Sequence, residues 1–207
     1  MKSFPFFTIL IAFFIQSESA YAQYLTYRQE IEKFRSANWK GLILDPRTTV
    51  RVGDSIYLDY YPVKEKNKVY CSVEVLHGQE PFDMPTYSGQ IKSFIKYARF
   101  SFVFSGKPIS LMAYRNLQTI NSPIYKDHLF IPFKDPGNGK QTYGGGRYLD
   151  FRLGDIKDGH ALLDLNRIYN PWCAYSDGYN CPIPPFENHL QINIKAGEKK
   201  FKKNQSH

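Results

Sequence analysis

Several features that identify common classes of protein are missing from this 207-residue sequence. After residue 22 no apolar run has the length of about 20 residues that a membrane-spanning helix needs. There is no internal repeat and no low-complexity linker, which argues against a repeat array or a string of domains. Strands alternating with long helices, the pattern of a parallel α/β sheet, are also missing.

Motifs for familiar catalysis and for nucleotide binding are missing as well. There is no G-x-S-x-G element for a nucleophilic serine, and none of the histidines lies in a recognised motif. The segment Gly137–Lys140 is similar to part of a phosphate-binding loop. However, Lys134 stands where that loop needs its first glycine, and Gln141 stands where it needs Ser or Thr. The sequence therefore predicts no bound nucleotide and no cofactor.

Cysteine is scarce, with only three residues in the chain. In an oxidising compartment a disulfide between Cys173 and Cys181 is favoured, and it would contribute roughly 2–3 kcal/mol by closing a small loop. Free thiols and a metal-binding pair stay open as alternatives, although the C-x-x-C spacing of a zinc site is absent and no metal site is predicted. Cys71 lies in an apolar strand pattern, which predicts a small buried side chain.

The N-terminus has the pattern of a Sec-type signal peptide. Lys2 precedes the apolar run FPFFTILIAFFI, and Ala20-Tyr21-Ala22 forms an A-x-A cleavage site. We expect residues 1–22 to be removed after Ala22. The sequence thus predicts an exported, soluble protein that is periplasmic or secreted.

The chain carries a formal net charge of +8, and much of the excess lies in the C-terminal segment KAGEKKFKKNQSH. Lysine-rich tails of this kind are usually solvated, and an exported protein meets little nucleic acid, so no nucleic-acid partner is predicted. The charge is better suited to peripheral contact with an anionic surface of the cell envelope. We expect one domain over residues 23–201, followed by a frayed basic tail at 202–207.

Hydrophobic periodicity predicts one helix followed by many strands. Thr26 and Gln29 have the spacing of a capping box, and Tyr27, Ile31 and Phe34 form one apolar stripe, so an amphipathic helix is expected over residues 27–37. Strand-like patterns follow at residues 55–63, 69–76, 91–104, 109–114, 129–133, 147–153, 161–165 and 189–195. The fold class is therefore mainly β: a single β-rich domain, either a sandwich or a curled or closed antiparallel sheet, with one N-terminal helix.

Two long motifs resemble a known family. The runs PFKDPGNGKQTYGGGRYLD and DLNRIYNPWCAYSDGYNCPIPPFENHLQINIKAGEK are similar to the signature of the DUF1684 family, and the resemblance extends back to the helix at Tyr27. His189 stands where that family usually has Arg. The resemblance implies no activity, because none is established for the family.

These motifs contain the candidate site residues. Aromatic rings that stack on a ligand, together with polar groups that orient it, are typical of a small-molecule or glycan site. The predicted ligand-binding residues are Tyr143, Gly145, Arg147, Asn166, Tyr169, Asn170 and Trp172, with Tyr175 beside them. The glycine run at 144–146 fits a turn or bulge, and equally a close approach of the backbone to a ligand.

Three carboxylates are candidate catalytic groups, namely Asp150, Asp164 and Glu187. Two of them would supply the acid and the base or nucleophile of a hydrolase. Asp164 and Asn166 share one face of a strand, which fits a polar network under a pocket and also fits a purely structural network. Three functions remain: a binding module for a small ligand or glycan, a hydrolase of the cell envelope, or a structural or interaction protein. Binding is favoured because the motifs contain no complete catalytic set.

Overall fold

In this computed structural model the backbone is described for residues 6–203 and the side chains for residues 23–203. Helix α1 (Phe6–Leu44) is followed by seven strands: β1 (Lys68–Val75), β2 (Phe82–Pro85), β3 (Ile91–Phe104), β4 (Lys107–Asn116), β5 (His128–Phe133), β6 (Arg147–Arg152) and β7 (His160–Asp164). Within the described part of the chain, no helix is both long and apolar enough to cross a membrane. The predicted signal peptide lies in the segment without described side chains, and its cleavage stays a prediction.

The seven strands form one antiparallel sheet in the order β6-β5-β4-β3-β1-β7, with β2 paired to β3. β3 and β4 form the long central hairpin, closed by Ser105 and Gly106 with φ of 51° and 75°. This left-handed pair matches the right-handed twist of the two strands, as a two-residue hairpin turn requires. The mainly β fold is therefore confirmed in its curled, antiparallel form.

The two faces of β3 differ as the alternation predicts. Ala98, Phe100 and Phe102 are buried, whereas Val103 on the opposite face is 66% exposed. The buried rings pack with apolar side chains of β1, β4, β5 and β6 to form the main core. Cys71 is buried in the same core, as its apolar surroundings predict.

The chain after β7 packs across the sheet mostly without regular structure. Leu165, Ile168, Ile194 and Ala196 fill the main core from this segment. Short 3₁₀ turns at Leu165–Arg167, Trp172–Ala174 and Phe186–Asn188 interrupt it. The C-terminal segment therefore covers the sheet as an ordered loop.

Two predicted strands are wrong. Residues 55–57 form the end of a 3₁₀ helix (Val52–Tyr57), and residues 58–63 and 189–195 are irregular. Both segments have the apolar residues expected of a strand, but they are held by isolated β-bridges and side-chain hydrogen bonds. A period-two pattern does not distinguish this arrangement from a continuous ladder of backbone hydrogen bonds. The short edge strand β2 escaped prediction because four residues carry little pattern.

The predicted helix is present, but its bounds of 27 and 37 are too narrow. The capping box at Thr26 does not start the helix, because the apolar residues before it continue the helical path from Phe6. Tyr27 and Ile31 are buried against Val63, as the apolar stripe predicts. The helix ends at Leu44, just before Asp45-Pro46, where the proline disfavours a helical conformation in the residue before it.

Candidate functional site

The end of α1, the sheet and the C-terminal segment line a partly open cavity of about 640 Å³. Its volume suits a small organic ligand. Much of its wall is aromatic, with Trp39 from α1, Phe130 and Tyr148 from the sheet, and Tyr169, Trp172 and Tyr175 from the C-terminal segment. Three distant parts of the sequence therefore build one site.

Aromatic packing holds the helix end at this cavity. The Trp39 ring lies 6.1 Å from the ring of Tyr175 and 6.2 Å from that of Phe201, measured between centroids. Tyr175 and Phe201 pack edge to face at 5.2 Å. Ring pairs of this kind add about 0.5–1.5 kcal/mol each beyond the burial of their surface. The aromatic residues thus fix the wall as well as forming it.

One polar cluster in the cavity is built around Asp150. His128 Nε2 lies 2.9 Å from Asp150 Oδ1, and Tyr169 donates its hydroxyl to the same carboxylate at 2.9 Å. Burial and the charge of Asp150 raise the pKa of Tyr169 well above its usual value, so this hydroxyl stays protonated and donates. Adjacent strands β5 and β6 place His128 and Asp150 within reach of each other, since the register pairs His128 with Arg152 and Asp150 with Phe130.

A second polar cluster is built around Glu198, which is buried. Tyr175 donates its hydroxyl to Glu198 Oε1, and the backbone N–H of Asn170 donates to Oε2 at 3.0 Å. Burial raises the pKa of Glu198 to about 7, while its two donors and the charges of Arg35 and Arg147 oppose that rise. A carboxyl group of this kind changes its protonation near neutral pH.

One buried acceptor at the cavity has no partner within the described part of the chain. The side chain of Asn170 donates to the carbonyl of Lys199 at 2.7 Å, but its Oδ1 receives no hydrogen bond. A buried amide oxygen without a partner costs about 1–3 kcal/mol.

Two cations complete the lining. Burial lowers the pKa of Lys92, and the nearby charge of Arg47 lowers it further. Arg47 itself pairs with Asp45 at 2.8 Å and lies over the ring of Tyr179 at 4.7 Å. The cavity therefore presents both hydrogen-bond donors and acceptors.

The predicted disulfide between Cys173 and Cys181 is confirmed. It connects the 3₁₀ turn that carries Trp172 to the chain entering Pro182, and both ends of this loop line the cavity. The backbone N–H of Ile183 donates to the carbonyl of Pro85 in the edge strand β2 at 2.8 Å. The bridge therefore holds the aromatic wall against the sheet.

Four of the seven predicted ligand-binding residues are placed away from this cavity. Arg147 is wholly buried and forms an ion pair with Asp135 at 2.7 Å. Asn166 is buried and hydrogen-bonded to the backbone of Lys64 and to Asn67. Gly145 accepts a bond from the Tyr87 hydroxyl at 2.8 Å through its carbonyl.

The fourth, Tyr143, lies on a neighbouring cleft. The other predicted residues, Tyr169, Asn170 and Trp172, line the cavity together with Tyr175. The glycine run shapes the turn before β6: Gly146 has φ of +97°, and a Cβ there would lie 2.7 Å from the carbonyl oxygen of Phe133.

The three candidate carboxylates do not meet. Asp150 lines the cavity, whereas Asp164 accepts the hydroxyl of Tyr27 at 2.9 Å and so connects the sheet to α1. Glu187 lies outside the cavity lining, where it pairs with Lys96 at 2.9 Å and accepts the hydroxyl of Tyr114 at 2.8 Å. No group of three or more His, Cys, Asp or Glu side chains in the described residues could hold a metal ion.

Sequence reasoning missed Trp39, His128 and Glu198 as members of the site. Trp39 and His128 lie outside the motif-rich segment, and their approach depends on how α1 and the sheet pack. Glu198 lies in the KAGEK run, which reads as a solvated basic tail. The sequence feature that could have indicated the burial of Glu198 is the preceding Gly197. This glycine has a φ of +71° and lies close to Ile168, which turns the chain inward.

Comparison with known proteins agrees with this fold. The chain is similar to a solved structure, the solution NMR structure of an uncharacterized protein from Haloarcula marismortui, with 34% identity and a TM-score of 0.55 over 69% of this chain and 75% of that chain. None of the curated proteins matches the chain. The model of a family described as "Protein of unknown function (DUF1684)" matches residues 56–199. The protein therefore belongs to the DUF1684 family, as its two motifs predict.

Proposed function

We propose that the protein binds a small hydroxylated ring compound, such as one sugar unit of a glycan, in the aromatic cavity. The observation that carries the proposal is the cavity lining, where Trp39, Trp172 and Tyr148 share one space with two carboxylate clusters. Sugar rings offer an apolar face for stacking and hydroxyl groups for hydrogen bonds. Aromatic walls with a few converging polar groups suit both demands.

The two polar clusters supply complementary bonds to such a ligand. Asp150 and Glu198 accept hydrogen bonds from hydroxyl groups. Lys92 and Arg47 provide donors on the same lining. A ligand with several alternating donors and acceptors uses this lining better than a simple hydrocarbon does.

Titration calorimetry with monosaccharides and cell-wall oligosaccharides tests this function. Replacing Trp172 with Ala should weaken binding about tenfold, equivalent to about 1.4 kcal/mol. Tyr70→Ala is the matched control, because this ring is 69% exposed on β1 and stacks on His160 outside the cavity. Equal losses in the two variants, or no sugar binding by the wild-type protein, would refute the proposal.

A hydrolase is the second candidate, and the pairing of His128 with Asp150 in the cavity favours it. Asp150 would orient His128 as a general base for water, and Glu198 would act as the acid. Of the three carboxylates predicted from sequence, this mechanism retains Asp150 alone. Turnover of a bound oligosaccharide that falls far more than its affinity does in Asp150→Asn would replace binding by hydrolysis as the function.

Export belongs to the same proposal, since a glycan of the cell envelope is met outside the cytoplasm. The disulfide is compatible with an oxidising compartment. N-terminal sequencing of the protein recovered from the envelope fraction should begin at Gln23. Recovery of the protein from the cytoplasm with residues 1–22 still attached would contradict export. Failure of both binding and turnover would leave a structural or interaction role.

A further inference from the structure

A second cleft, of about 840 Å³, lies beside the aromatic cavity and is lined by lysine. Within the part of the chain that the structure describes, its lining contains six lysines and one acidic residue, Asp59. The lysines are Lys140, Lys195, Lys199, Lys200, Lys202 and Lys203. Because these like charges repel one another and create a positive electrostatic potential, the cleft favours a negatively charged partner.

Internal ion pairs neutralise only part of this charge. Asp59 pairs with Lys199 at 3.3 Å and Lys202 at 2.8 Å, and Asp54 pairs with Lys203 at 2.7 Å. The remaining three, Lys140, Lys195 and Lys200, are exposed and form no ion pair within the described residues. They are the cations available to a ligand.

The backbone presents these lysines in a fixed arrangement. Lys200 donates its N–H to the carbonyl of Gln141 at 2.9 Å, which brings the C-terminal segment against the loop that carries Lys140. The N–H of Lys202 donates to Tyr57 at 3.1 Å, and Phe201 between them is buried. Because the chain is anchored by Phe201, its neighbours Lys200 and Lys202 point outward from an ordered segment.

The type of cation indicates the type of partner. Among the described residues no arginine lines the cleft, so this lining lacks the planar fork that fixes one carboxylate or phosphate in a defined orientation. Lysines act as point charges and tolerate many orientations of an anion. Several of them along a concave cleft suit a chain of repeated anionic groups better than a single oxyanion, and a concave shape suits a chain better than a flat membrane surface.

We propose that this cleft binds a linear polyanion with closely spaced phosphate groups. The three unpaired lysines contact the phosphates, while the paired lysines add to the positive potential around them. This site is separate from the proposed sugar site, and the two need not share one ligand. The expected contact between the lysine-rich tail and an anionic envelope surface becomes the competing outcome of the test.

Inorganic polyphosphate is the probe, compared with monophosphate and with phosphatidylglycerol vesicles. The wild-type protein should bind polyphosphate at a much lower concentration than monophosphate, with a strong dependence on salt. The triple variant Lys140→Gln/Lys195→Gln/Lys200→Gln should weaken binding on the order of tenfold or more at low salt. Its slope of log Kd against log salt should fall by about 2, at about 0.7 for each lost contact as for other flexible phosphate chains.

The matched control is Lys33→Gln/Lys107→Gln/Lys157→Gln, which removes the same charge from exposed lysines elsewhere. A second triple variant with Arg at the three cleft positions keeps the charge and should keep binding. Equal losses in the two Gln variants would overturn the proposal. So would monophosphate binding as tightly as the polymer, or vesicles binding more tightly than polyphosphate. Sugar and polyphosphate titrations are run separately on the same protein, so a failure of the sugar site is distinguishable from a failure of this one.

Discussion

The variant Arg147→Met should unfold far more easily than the wild-type protein, although arginine is a residue type typical of ligand-binding sites. Its guanidinium is wholly buried and donates to the carbonyls of Ile194, Ala196 and Glu198 at 2.8, 2.7 and 3.1 Å. It also pairs with the equally buried Asp135 at 2.7 Å. Met fills a similar volume but leaves the carboxylate and three carbonyls without this donor.

The magnitude follows from the unpaired charge. Removing one partner of a buried ion pair costs about 3–5 kcal/mol, and each buried carbonyl that loses its donor adds on the order of 1 kcal/mol before water enters. Two backbone N–H groups, of Gly137 and Ile194, still support Asp135 and limit the loss. We expect a fall of about 5 kcal/mol in the free energy of unfolding, against a typical total of about 5–15 kcal/mol.

Urea denaturation followed by tryptophan fluorescence measures this change. With a slope of roughly 2 kcal/mol per M, the midpoint should fall by about 2.5 M. Arg152→Met on the same strand is the control, because its pair with Asp127 at 2.6 Å is half-exposed on both sides. That variant should be hard to distinguish from the wild type.

A double-mutant cycle separates the charge from the packing. Asp135→Asn should cost less in the Arg147→Met background than in the wild-type protein, because it removes the unpaired buried charge. Equal costs in both backgrounds, or equal midpoints for Arg147→Met and Arg152→Met, would refute the reasoning.

Two further predictions concern pH and redox state. The pKa of Glu198 is raised from 4.5 to about 7, so between these values the folded protein holds a proton that the unfolded chain has released, and its stability should fall as the pH rises from about 4.5 to about 7. Glu198→Gln should flatten this dependence in urea melts at pH 5 and pH 8, and an unchanged pH dependence in the variant would contradict the prediction. Cys173→Ser should lower the melting temperature by about 5–10 °C under oxidising conditions, from about 2–3 kcal/mol of loop entropy, and hardly at all under reducing ones; equal shifts in both conditions would exclude the bridge as the cause.

Most of the sheet could be predicted because its strands alternate over enough residues. In β3 the Phe100 and Phe102 side chains lie on one face and Val103 lies on the other, so pattern and structure coincide. Residues 189–195 have a similar composition, yet Asn188 before them uses its side chain in place of a ladder. Its amide donates to the carbonyls of Met112 and Pro132 at 2.8 and 2.7 Å. Periodicity does not reveal a side chain that substitutes for backbone pairing.

The candidate site was predictable in its location but only partly in its members. Tyr169, Asn170 and Trp172 were found because aromatic and amide residues cluster there. Asn166 is the same type of residue as Asn170, but its amide forms all its hydrogen bonds within the fold. It donates to Tyr27, Lys64 and Asp164 and accepts from Lys64 and Asn67. Whether a polar group serves the fold or faces a cavity depends on contacts that are distant in sequence.

The position of Glu198 connects these two roles. Arg147 accounts for the path of the chain from Ile194 to Glu198, because it binds the carbonyl of every second residue along it. The N–H of Glu198 then donates to the carbonyl of Ile168 at 2.9 Å, which leaves its carboxyl group facing Tyr175 and Asn170 in the cavity. An irregular segment has no neighbouring strand to form hydrogen bonds with its backbone, so a buried arginine donates to its carbonyl groups instead. The polar residues of the family motif therefore divide into those that hold the segment and those that the segment presents to the cavity, and the second group depends on the first.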